Sequence, residues 1–249
     1  TALTNRTISN NSISIQTNNL SGTTHGILSG KANVITIIEN EISINNYCGT
    51  INGIFLTAGS ISNQLVSNII SISPINMPAN TTNIRGINNA VGLLTTSLNE
   101  ITIAPTFQAA PTISVNLYGI DNTVANSSLS GNTNVTLAPV FNVVSVSGNI
   151  AIIRNSASNI EIANNALLEL NAINYSGNLN VKGILNSGAN SIILNNQLIS
   201  VNATAQEAVA VNGIESSAAG AGTQILNNQN LNVNASSTNL NATARGIFF

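Results

Sequence analysis

Charge is what this sequence has least of. Of 249 residues only 6% are Asp, Glu, Lys or Arg, and the net charge is −2. Ordinary soluble domains carry about 25% charged residues. The six cations (Arg6, Lys31, Arg85, Arg154, Lys182 and Arg245) are scattered along the chain. No cluster neutralises a run of phosphates, so nucleic acid is not expected as a partner. Trp is absent and aromatics make up 3%, so any core must be aliphatic. The single cysteine, Cys48, leaves no intramolecular disulfide and no cysteine metal cluster, and no cofactor is expected. No apolar run approaches the roughly 18 residues that cross a bilayer, so no direct membrane span is expected. The chain starts with Thr1 and lacks a basic segment followed by an apolar one, so no signal peptide is read, and the expectation is a mature or excised segment.

Apolar residues nevertheless reach 43%, and close to a fifth of the chain is Asn. A disordered chain would be polar but short of Ile and Val, so disorder is not expected.

The organising feature is a repeat. Gly-Ile recurs at Gly26-Ile27, Gly53-Ile54, Gly86-Ile87, Gly119-Ile120, Gly183-Ile184, Gly213-Ile214 and Gly246-Ile247, with Ala151-Ile152 in the one gap. The intervals are too even for chance. A second anchor is an alternating apolar–polar–apolar triplet: Ile13/Ile15, Ile42/Ile44, Ile70/Ile72, Ile101/Ile103, Val135/Leu137, Leu168/Leu170, Ile199/Val201 and Leu231/Val233. It keeps the same period as the first. Asn11, Asn40, Asn68, Asn99, Asn165, Asn196 and Asn228 precede these triplets by two or three positions.

Alternation over three to five residues is strand periodicity, and Thr, Ile and Val favour strands. Gly, Asn and Ser between them supply turns that tolerate positive φ. Each unit therefore holds about three short strands and three bends. It cannot bury its inner face alone, but stacked at about 4.8 Å per coil it forms a continuous aliphatic column. Asn at one bend in successive coils would form an amide ladder. That accounts for abundant Asn and scarce charge, because like charges stacked at that spacing repel. The fold expected is all-β: a single-stranded parallel β-solenoid of about eight coils, each of roughly 27–34 residues, a period typical of solenoid repeats. It runs through 1–249 as one domain. Ala104-Pro105-Thr106-Phe107 is echoed by Ala138-Pro139-Val140-Phe141, which predicts Phe107 above Phe141. Segment 204–210 has helical composition but falls where other coils turn into a strand.

The phrase from Gly53 to Ile72, with Gly-Ile at one strand and Asn68 before an Ile-containing strand at the next, resembles the short repeat of right-handed parallel β-helix proteins. The resemblance covers nearly the whole chain. The Asn- and Ile-rich, cysteine-poor character is most similar to bacterial autotransporter and other surface-adhesin passenger domains. It implies right-handed coiling, a secreted or bacterial cell-surface location, and host or cell-surface glycans or proteins as partners. The fold does not itself fix function, since lyases, epimerases and tailspikes share it.

Candidate chemistry is sparse. The residues before each Gly-Ile form one column: His25, Asn52, Arg85, Tyr118, Ile150, Lys182, Asn212 and Arg245. It reads as outward-facing, either a thin cationic stripe that contacts acidic glycans or an ordinary solvated column. The middle triplet residues, Ser14, Ser43, Ser71, Thr102, Thr136, Glu169, Ser200 and Asn232, form a stripe of small polar groups. It lacks the paired Thr of a regular ice-binding ladder. A glycosidase or lyase needs paired or metal-holding carboxylates. Glu41 and Glu100 hold equivalent places two coils apart, a separation of about 10 Å, just beyond the span of an inverting pair. One His, His25, without a nucleophile elbow gives no triad. The expected function is therefore a non-enzymatic structural and adhesive rod. The alternatives are a carbohydrate-acting β-helix using Glu41, Glu100 and Asp121, and a self-assembling fibre subunit. The last follows from repeats that run to both ends without polar caps, so that copies would meet head-to-tail.

Overall fold

The computed structural model describes residues 4–16, 22–45, 48–57, 60–75, 77, 82–107, 112–142, 145–177, 179–217, 222–238 and 241–249. Among them every regular element is a strand and every pairing is parallel. The strands fall into three sheets, each drawing one strand from every coil. The first sheet stacks Arg6–Ser9, Val34–Ile38, Ser62–Val66, Leu93–Ser97, Ser128–Ser130, Glu161–Ala163, Ile192–Leu194 and Gln224–Leu226. The second stacks Ser12–Ile15, Glu41–Ile44, Ile69–Ile72, Glu100–Ile103, Asn134–Leu137, Leu167–Tyr175, Leu198–Ala205 and Leu231–Ser237. The third stacks Thr23–Ser29, Thr50–Leu56, Thr82–Asn89, Ile113–Asn122, Val146–Asn155, Leu179–Asn186, Val209–Ser216 and Ala242–Phe248. The chain is thus a parallel β-solenoid: each sheet takes one strand from each of eight coils, the second sheet gains two short extra strands, and the pairing is unbroken from coil to coil.

The triplets are the second sheet. Ile13 pairs with Ile42, Ile42 with Ile70, Ile70 with Ile101, Ile101 with Val135, Val135 with Leu168, Leu168 with Ile199, and Ile199 with Leu231. Their inward residues, from Ile42 to Val201, are at most 1% exposed. Segment 204–210 is not helical; Leu198–Ala205 ends in a bend before Val209–Ser216 begins. In the widest coils the chain adds a two-residue strand after the proline. Thr106 N–H donates to the Pro74 carbonyl and Val140 N–H to that of Pro105, both at 2.9 Å. Phe107 and Phe141 then stack, with centroids 5.1 Å apart and planes 11° from parallel.

The glycines of Gly-Ile set how closely the second and third sheets approach. A Cβ on Gly26 would land on Ile42 Cγ2 and lie 2.6 Å from the Gly53 carbonyl oxygen, and Gly53 meets Ile70 and Gly86 in the same way. At these glycines the missing side chain lets the third sheet dent inward. The dent removes one step of alternation: Ile51 and Ile54, three residues apart, are both fully buried, while the glycine is left out of the cross-coil register. In the fifth coil the register corrects the sequence reading. Ala151 pairs with Tyr118 and Lys182, and Ile153 with Ile120 and Ile184, so Ile152 stands in the glycine's place. The pair equivalent to Gly-Ile is Ile152-Ile153, one residue later than expected.

The corner between the first and second sheets carries the asparagine ladder. In all eight coils its opening residue is left-handed: Asn10, Glu39, Ser67, Leu98, Gly131, Asn164, Asn195 and Asn227, with φ between 51° and 67°. The next residue is always Asn: 11, 40, 68, 99, 132, 165, 196 and 228. Each Nδ2 donates to the Oδ1 of the next coil's Asn, giving seven consecutive bonds of 2.7–3.1 Å. In six of the seven steps the same Oδ1 also accepts the backbone N–H of the Asn below it. Asn132 completes the ladder and is not among the seven expected.

Candidate functional site

The column before each Gly-Ile lies on the outer side of the third sheet, but the dent makes that surface concave. A second column, two residues after each glycine, faces it: Leu28, Phe55, Asn88, Asp121, Arg154, Leu185, Glu215 and Phe248, paired coil to coil. The two columns interlock along a diagonal at five places, where a first-column side chain reaches the second column of the next coil. His25 lies against Phe55, with ring centroids 5.1 Å apart. Asn88 Nδ2 donates to Asn52 Oδ1 at 3.2 Å. Arg85 Nε donates to Asp121 Oδ2 at 2.7 Å. The Arg154 guanidinium sits 4.5 Å from the Tyr118 ring centroid, and Lys182 Nζ donates to Glu215 Oε1 at 2.8 Å.

Of the expected stripe His25, Asn52, Arg85, Tyr118, Lys182, Asn212 and Arg245, part is withdrawn from solvent while Arg245 stays exposed. Asn52 is 1% exposed, Tyr118 2% and Asn212 6%. Three of the cations are neutralised within the groove rather than offered to solvent. Lys182 meets Glu215. Asp121 is clasped by Arg85 on one side and by a two-pronged Arg154 on the other (Nε–Oδ1 2.6 Å, Nη2–Oδ2 2.9 Å). Burial works against the Arg154 charge, but Asp121 and Tyr118 together outweigh it and the guanidinium pKa rises. Burial likewise pushes the Tyr118 phenol up, partly offset by Arg154. Burial lowers the His25 pKa, and the Asn52 amide lies beside its Nδ1 at 3.2 Å. Arg245 departs from the diagonal and lies over Phe248 of its own coil at 4.8 Å. Ile150 does not belong to the column: it pairs with Leu117 and Val181 and is fully buried, and Ala151 takes the position.

The carboxylates considered for sugar chemistry are not gathered. Glu41 and Glu100 are exposed on the second sheet, both paired in register with Ile69 between them. Asp121 lies on the third sheet, buried between its two arginines. The three form no shared site.

A feature the sequence reading passed over lies at the corner between the third and first sheets. Asn126, Asn159 and Asn190 stack there, all left-handed (φ 59°, 57° and 52°). Asn159 Nδ2 donates to Asn126 Oδ1 at 3.1 Å. With Ser127, Ser128, Ile160, Glu161 and Ile192 they line a shallow cleft of about 380 Å³. The signal was present as an Asn recurring once per coil, but it was hidden by the abundance of Asn elsewhere.

Comparison of the chain with protein-family models, with curated proteins and with solved structures finds no match.

Proposed function

We propose that this chain is a non-enzymatic structural and adhesive rod of a secreted or bacterial cell-surface protein, coiled as a right-handed β-helix of the passenger-domain kind. The observation that carries the reading is the recurrence of small polar groups on outward surfaces at one coil spacing, most developed in the Asn126–Asn159–Asn190 cleft. Amides stacked about 4.8 Å apart present alternating donors and acceptors, the complement of a polyhydroxylated chain lying along the rod. Ser128 and Glu161 add a hydroxyl and an acceptor to the lining. Each contact is weak, and affinity comes from their number. The adhesive partner is accordingly a cell-surface or host glycan.

Incubation of the purified chain on a glycan array tests this. The expected outcome is retention of a subset of glycans without cleavage, weakened roughly tenfold by Asn159→Ala, the worth of one or two hydrogen bonds. Glycan cleavage in the same incubation would remove the non-enzymatic reading; an array without signal would remove the adhesive one.

A further inference from the structure

The sixth and seventh coils place three groups in the outer groove that together make a reaction site. Lys182 and Asn212 are direct cross-strand neighbours on the third sheet. Glu215 bridges them: its Oε1 accepts from Lys182 Nζ at 2.8 Å and its Oε2 from Asn212 Nδ2 at 2.6 Å. All three are largely withdrawn from water, with side-chain exposures of 14% for Lys182 and 12% for Glu215, and Asn212 6% exposed as a residue. Asn212 Oδ1 is buried and has no hydrogen-bond partner. A buried, unsatisfied carbonyl calls for an explanation. Here it belongs to an amide that shares one carboxylate with a primary amine.

We propose that Lys182 and Asn212 form an intramolecular isopeptide bond, with Glu215 as the catalytic acid–base. Lys182 passes a proton from Nζ to Glu215 Oε1, leaving a neutral amine beside a neutral carboxylic acid. Protonated Glu215 is now a donor, and a half-turn of the Asn212 amide sets Oδ1 against it. The Nζ lone pair attacks Asn212 Cγ; the Cγ–Nζ bond forms and the carbonyl oxygen takes the acid's proton. The tetrahedral intermediate collapses as the carboxylate relays the surplus Nζ proton and then the hydroxyl proton to the departing Nδ2. The Cγ–Nδ2 bond breaks and nitrogen leaves as ammonium. Lysine's positive charge departs on that ammonium, Glu215 ends as a carboxylate, and no oxidant or cofactor is consumed. Fixed neighbouring strands supply the proximity that an amide otherwise lacks toward an amine. Among the described residues, the other groove cation that meets an acid through the diagonal is Arg85, which carries no nucleophilic amine, so the site is particular to these two coils.

Intact-mass spectrometry of the full chain, with peptide mapping, tests this independently of what the rod binds. The expected result is a mass one ammonia below that of the sequence, with a branched peptide joining the Lys182 and Asn212 side chains. Lys182→Arg, Asn212→Ala and the isosteric Glu215→Gln should each restore the full mass, with circular dichroism reporting that the sheets persist. A wild-type chain at full sequence mass overturns the proposal, whatever the variants do. So does an ammonia loss that persists in Lys182→Arg and maps to Asn212–Gly213 alone, since that is a succinimide closed by the Gly213 backbone nitrogen.

Discussion

At the corner between the first and second sheets the connections are two to four residues long and open the same way in every coil, with a left-handed residue and then Asn. At the corner between the third and first sheets they run from three to seven residues, and an inner ladder survives only in the middle: Asn89, Asn122, Asn155 and Asn186, linked at 2.7–3.1 Å. Ser29 and Leu56 stand in its place before those coils and Ser216 after them. The amides also work differently. At the constant corner Nδ2 reaches back to a strand carbonyl of the preceding coil, as Asn99 does to Leu65 and Asn165 to Leu129. At the variable corner it closes the local turn, as Asn122 does on Val124 and Asn155 on Ala157. A ladder that ties one coil to both neighbours fixes register and must be continuous. One that shapes its own turn can be dropped from a coil without breaking the stack.

The comparison can be broken at its strongest point by Asn99→Ala. Asn99 is fully buried and serves the Asn68 amide and backbone N–H, the Leu65 carbonyl and Asn132. The loss expected is about 3–4 kcal/mol in denaturant unfolding, because several buried groups lose partners at once. Asn122→Ala at the variable corner should cost less, about 2 kcal/mol, and a cost equal to that of Asn99→Ala would erase the distinction. Asn228→Ala removes only the last rung and should lower stability by about 1 kcal/mol. Leu98→Gly should move the other way. Leu98 is exposed yet left-handed at φ 55°, and Gly131 already fills that place one coil on. Relief of the left-handed strain predicts a gain of about 0.5–1 kcal/mol, read as a rise in the denaturant midpoint. The smallest effect belongs to the outer row Asn88–Asn52–His25. The folded pKa of His25 lies below the unfolded value, so the unfolded chain takes up the proton first. Stability should therefore be flat above about pH 6.5 and fall as pH drops from there through the folded pKa. His25→Asn should flatten that part of a melting-temperature profile.

Most of the fold was legible because two anchors share one period, and the triplets align in the structure at every step. The shortfalls have physical causes. Asn132 escapes notice because Asn134, directly before Val135, stands closer to the triplet. Ala151-Ile152 falls one residue early because Ile150 to Ile153 are uniformly apolar and carry no phase, so only pairing reveals which one replaces glycine. The groove was invisible for a different reason. Alternation says which way a side chain points, not that the wall beneath it is concave. Nor does it say that Arg85 and Arg154, two coils apart, close on the one Asp between them.

The inner ladder has one more consequence. Each amide-to-amide bond in it runs from Nδ2 toward the C-terminal coil, and the shorter ladder at the other corner runs the same way. The outer rows run in reverse, Asn116 toward Asn83 and Asn202 toward Asn171. Each amide carries a dipole of roughly the peptide's 3.5 D, so the buried arrays add into an electrical axis that the surface arrays partly cancel. The solenoid is a vector as well as a stack: an approaching ion would feel a different sign at each end.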